Sequence, residues 1–97
     1  MSDLYIAAPL AIDEAADGSV WIAPLPAGPI SEVRGGGALI LDVLLRSRRA
    51  RTAREIAEEI TRVLDEVPDD LEAQVTMFLE GLVEVGAVRR SSGRDSG

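Results

Sequence analysis

Between residues 71 and 85 apolar side chains recur at Leu71, Val75, Phe78, Leu82 and Val85. Those spacings of four and three keep one face of a helix apolar from end to end. Leu79 and Val83 widen the stripe, and Met77 falls off it. Pro68, Asp69 and Asp70 precede it and suit a first turn, where proline's missing N–H is no loss and acids favour the positive end of the helix dipole. Gly86 follows it and suits the left-handed residue that ends a helix. Upstream, Ile56, Ala57, Ile60, Val63 and Leu64 repeat at helical spacing, and Thr52-Ala53-Arg54-Glu55 has the form of a capping box, in which Thr52 and Glu55 each satisfy the other's backbone N–H. That predicts a helix from Thr52 to about Leu64. The segment ALILDVLL (38–45) is too continuously apolar for a solvated surface helix. Its helix is expected to begin near Gly37, because running through Gly35, Gly36 and Gly37 would cost about 3 kcal/mol relative to alanines. It ends near Arg46, and RSRRAR (46–51) is a loop.

The first third of the chain has no helical period. LYIAAPLAI (4–12), broken by Pro9, suits an edge strand or two short strands. DEAADG (13–18) supplies a tight turn, with the positive φ that Gly18 offers. SVWIA (19–23) reads as the returning strand, in which the lone Trp21 is expected to anchor the sheet. Pro24, Pro26 and Pro29 cannot donate to a ladder, so PISEV (29–33) is at best a third strand at the sheet's edge. Ala87 and Val88 add a short extended piece, and RRSSGRDSG (89–97) reads as a disordered polar tail. One domain over 1–88 with strands first and helices after predicts an α+β fold. A short three-stranded antiparallel sheet followed by three helices would give a winged helix-turn-helix-like architecture.

Composition narrows the chemistry. The 97 residues allow one small core, 46% of them are apolar, and Tyr5, Trp21 and Phe78 are the only aromatics, so the core is aliphatic. With no His and no Cys, the chain cannot build a Ser-His-Asp or Cys-His site, His-ligated or thiolate zinc, or a disulfide. Neighbouring carboxylates such as Asp69-Asp70, Glu58-Glu59 and Asp65-Glu66 point about 100° apart on a helix, so none forms an acid–base dyad by itself. The glycine triplet lacks the Lys-Ser/Thr of a phosphate loop. No enzymatic activity, metal or cofactor is expected. No apolar run reaches the length of a membrane span and no export signal is visible, so the expected location is cytoplasmic, away from membranes.

The formal charge is −7, and every base is arginine. Arg46, Arg48, Arg49, Arg51 and Arg54 form a cluster that reads three ways: a nucleic-acid contact, a solvated loop balancing acidic helices, or a docking patch. The last helix carries no base between Asp69 and Glu84 and would be repelled by phosphates, which weighs heavily against a DNA duplex.

GALILDVL (37–44), TAREIAEEI (52–60) and VPDDLEAQVTMFLEGLVEVGAV (67–88) resemble the PqqD-like family, the RiPP recognition elements. The resemblance covers about residues 19–88. It implies a non-catalytic peptide-binding module, a chaperone of sorts. Such a module captures the leader of a ribosomally made precursor peptide as an added strand against its third strand, beside the third helix. It then presents the leader to a maturation enzyme, which is a leader protease and cyclase in lasso-peptide pathways or a radical enzyme elsewhere. Val33 matches the aliphatic that closes the family's third strand. Arg34 departs from the Asn or Ser cap common there, which implies a looser corner.

Strand addition needs a free backbone edge. Pairing is expected to begin at Ile30 and run through Ser31, Glu32 and Val33. On the helix side the candidates are Asp70, Leu71, Gln74, Val75, Met77 and Phe78, with Leu79 a further apolar one. Most of the apolar ones double as core, Met77 offers an adaptable margin, and Asp69, Asp70 and Glu72 would favour a basic leader. The same edge invites pairing with a second copy, so a homodimer stays open. The competing function is a winged-helix DNA-binding regulator.

Overall fold

The structure, a computed structural model, describes residues 3–26 and 28–91. Nine elements follow one another: β1 (Leu4–Ala7), β2 (Leu10–Glu14), β3 (Val20–Pro24), β4 (Ser31–Val33), α1 (Gly36–Ser47), β5 (Arg51–Thr52), α2 (Ala53–Thr61), α3 (Leu71–Glu84) and β6 (Val88–Ser91). The fold is α+β, with a three-stranded antiparallel sheet in the order β2-β3-β4 and three helices, as the patterning predicts.

Local chemistry explains the helix ends. Thr52 Oγ1 accepts from the Glu55 N–H at 3.1 Å and Glu55 Oε1 from the Thr52 N–H at 2.9 Å, which completes the capping box. The bond from the Thr52 N–H, helped by the nearby Arg51 and Arg49 charges, holds the Glu55 carboxyl below its ordinary range. At the end of α3, Gly86 takes φ 84°, Ala87 N–H bonds Leu82 C=O at 2.9 Å and Gly86 N–H bonds Val83 C=O at 3.0 Å. That is a Schellman motif, closing orphan carbonyls while turning the chain into β6. α2 stops at Thr61, short of the expected Leu64, because 62–64 tighten into turns on Glu59 and Ile60.

The second sheet, in the order β5-β1-β6, departs from the sequence reading. Pro9 divides 4–12 into two strands that belong to different sheets, with Tyr5 opposite both Arg51 and Arg90. Arg89, Arg90 and Ser91, expected in a disordered polar tail, are instead part of a strand. They pair with Ile6, Tyr5 and Leu4 as β6, because the Schellman turn aims the chain at β1's free edge and a half-exposed strand tolerates arginines on its wet face. The remainder, 92–97, lies outside the described residues.

The core gathers between the sheets and the helices. Ile22, Leu41, Leu44, Ile56, Ile60, Val75 and Leu79 are all but sealed from solvent. In β3 the two-residue period turns Val20, Ile22 and Pro24 inward, so Trp21 is aimed the other way. It is 42% exposed on the outer face of its sheet, on the side away from the core. The β2–β3 hairpin turns at Gly18, φ 90°, where Asp17 Oδ1 accepts from the Ser19 N–H and hydroxyl at 3.0 and 2.6 Å.

Candidate functional site

β4 is paired on one side only. Val20 faces Val33, Trp21 faces Glu32 and Ile22 faces Ser31 across the β3 ladder, and among the described residues no strand occupies the other side of β4. In an antiparallel strand the N–H and C=O of alternate residues point to opposite neighbours, so part of this backbone is aimed at open space. Val33 is buried and pins the strand to the core, and Ser31 is half-buried on the same inner face. Glu32 stands outward and pairs with Arg34 at 2.7 Å. Ile30, expected to open the pairing, precedes the strand and is 74% exposed.

The chain then turns into α1 without a side-chain cap. Gly35 fills the cap position at φ 57°, ψ −129°, a conformation that suits glycine alone. Thus the corner that Arg34 was expected to loosen is made by the glycines. Gly37 serves a different need: a Cβ there would lie 2.6 Å from Phe78 Cε1, so the first turn of α1 sits directly against the Phe78 ring.

Beside that contact opens a trough of about 330 Å³. Its walls are Gly36, Gly37, Leu39 and Ile40 of α1, Ile60, Leu64 and Pro68 around the end of α2, and Leu71, Gln74 and Phe78 of α3. All are apolar but Gln74, whose Nε2 donates to Asp70 Oδ1 at 2.8 Å; Asp70 itself is the N-cap residue of α3. That bond leaves the Gln74 amide oxygen free of Asp70, fixed in direction at the trough's mouth. A volume of this size is at the lower end of small-ligand pockets, roughly 300–1,000 Å³, enough for large apolar side chains.

Of the residues singled out from sequence, Leu71, Gln74 and Phe78 meet in this trough, with Asp70 at its rim. Val75 and Leu79 are fully buried in the core and do not line it. Met77 points away, 75% exposed. Ile30, Ser31, Glu32 and Val33 form the free edge and do not line the trough; the two features adjoin through Gly35. The walls from α1 and α2 escaped sequence reasoning. Their one signal was the glycine run at a helix start, which marks a place where something approaches the backbone closely.

α3 is clasped from behind. Tyr5 and Arg90, cross-strand neighbours, both reach Glu80 of α3: the Tyr5 hydroxyl donates to Oε2 at 2.6 Å and Arg90 Nη1 to Oε1. Burial first, and then the bond to Glu80, push the Tyr5 phenol up to about 12. The Tyr5 and Arg90 hydrogen bonds hold the Glu80 carboxyl below its ordinary range. A phenol whose pKa is raised by folding stabilises the fold fully below its unfolded value and loses that contribution as pH rises through the folded one. Unfolding free energy should therefore fall between pH 10 and about 12, and Tyr5→Phe should flatten that slope. Urea midpoints measured across the alkaline range check it.

Arg46, Arg51 and Arg54 of the basic cluster face carboxylates of nearby helical turns, Asp42 at 3.0 Å, Glu55 at 3.6 Å and Glu58 at 3.6 Å. Among the described residues no group of acids converges as a metal site would require, and no helix is long and apolar enough to cross a membrane. No family model, curated protein or solved structure matches the chain.

Proposed function

We propose that this domain is a non-catalytic binding module that takes a precursor-peptide leader as a fourth strand on the free side of β4 and presents it to a maturation enzyme, a leader protease and cyclase or a radical enzyme. The observation that carries the reading is the unpaired β4 edge, followed within a few residues by the glycines that line an open apolar trough. Main-chain hydrogen bonds along β4 would give affinity, and the trough would take apolar side chains of the guest, giving selectivity. Asp70 at its rim favours a guest with a nearby Lys or Arg. The resemblance to PqqD-like domains supports the same assignment, and the absence of His and Cys agrees with a role in presentation.

The regulator reading has less support. α3 carries acids and no base, and three of the five clustered arginines, Arg46, Arg51 and Arg54, face carboxylates. The two separate in one titration at moderate salt: a labelled extended peptide with alternating apolar side chains and a Lys, against a labelled DNA duplex. Saturable peptide binding that shifts the backbone amide resonances of β4 is the expected result. Duplex binding with a steep salt dependence and an indifferent peptide would overturn the proposal.

A further inference from the structure

The outer face of the β2-β3-β4 sheet, turned away from the core and from the trough, carries two rows of side chains. Across one, Asp13 of β2, Trp21 of β3 and Glu32 of β4 stand side by side in register. Across the next lie Ala11 and Ala23, with the exposed Ile30 at the end of the row. The two alanines leave a hollow of about 410 Å³ between the large walls Trp21 and Ile30, with Asp13 at one end. Glu32 is neutralised by Arg34, whereas Asp13 makes no ion pair among the described residues.

We propose that this face docks a helix of a partner protein, one that presents an arginine and an aliphatic side chain one turn apart. The indole face of Trp21 beside an uncompensated carboxylate attracts a guanidinium through both the ring quadrupole and the charge. The alanine hollow takes the aliphatic. Residues two apart on a strand are about 7 Å apart, close to the roughly 6 Å between side chains one helical turn apart, so both anchors seat together. A second copy of this chain fits poorly, because the same face presents no free guanidinium among the described residues, Arg34 being held by Glu32. The site shares Ile30 and Glu32 with the β4 edge but uses their outward side chains and not the backbone, so it stands or falls without strand addition.

Trp21 is the lone tryptophan and reports on its own surroundings. The probe is a helical peptide bearing Leu and Arg at i and i+4 on one face, titrated into the full chain, with a control peptide carrying Glu in place of Arg. The expected result is a saturable blue shift of Trp21 emission with the Arg peptide, weakened at least about tenfold by the Glu control and by Asp13→Lys. Asp13 is exposed on the strand farthest from β4, so this variant leaves both the fold and the β4 edge intact, and an unchanged circular dichroism spectrum verifies the former. No saturable shift, an equal response to the Glu peptide, or indifference to Asp13→Lys would overturn the proposal. Emission that changes with protein concentration alone would also overturn it, assigning the face to a second copy.

Discussion

Leu79→Ala should lower the unfolding free energy by about 2–5 kcal/mol, the range for removing a buried leucine and leaving a cavity behind. Leu79 is fully buried on α3, with Ile56, Ile60 and Val75 among the other fully buried residues of the same core. For a domain with a total stability of roughly 5–15 kcal/mol, that is a large share. Met77 provides the internal contrast. It lies two residues away on the same helix but is 75% exposed, so Met77→Ala should change stability by no more than about 0.5 kcal/mol. Urea unfolding of the two variants, compared with the parent at equal slope, measures both. A small loss at Leu79 would mean that α3 is seated differently on the core.

Guest binding should respond to proline in β4 in an alternating way. Ser31 and Glu32 are consecutive on a strand paired from one side, so one of them gives its N–H to β3 and the other aims it outward. Of the variants Ser31→Pro and Glu32→Pro, the one that removes the outward N–H should cost leader affinity at least about tenfold, through one lost hydrogen bond and a ring in the guest's path, with little effect on stability. The other should lower the unfolding midpoint by weakening the β3–β4 ladder. The peptide titration and thermal unfolding of the same two proteins give the answer. If neither variant changes peptide affinity, the guest does not pair with this edge.

The helices were legible because their signals are local. The i, i+4 stripe of α3, the Thr52–Glu55 box and Gly86 each act within a turn or two, and the structure uses them where the sequence puts them. The hairpin was legible for the same reason: Asp17, Gly18 and Ser19 make their own turn. The second sheet was not. Its members come from the beginning, middle and end of the chain, β5 is two residues long, and β6 contains two arginines, so only β1 carries a strand pattern and nothing local says what it pairs with. The site was half legible. Phe78 and Leu71 lie on a stripe that any core helix would show, and only the opposing surface from α1 decides that part of the stripe remains open. The direction of Trp21 follows from a simple alternation, yet the sequence does not say which of two alternating faces is inward until the helices choose one.

The pairing of β1 with β6 sets Leu4 opposite Ser91, so the polypeptide enters and leaves the domain at one corner. A fused enzyme would hang from that corner whichever terminus carried it, and the two genetic orders of a fusion should behave alike. A short linker bridging 91 to 4 would also permit a circular permutant, with new ends cut into the exposed hairpin around Asp17 and Gly18.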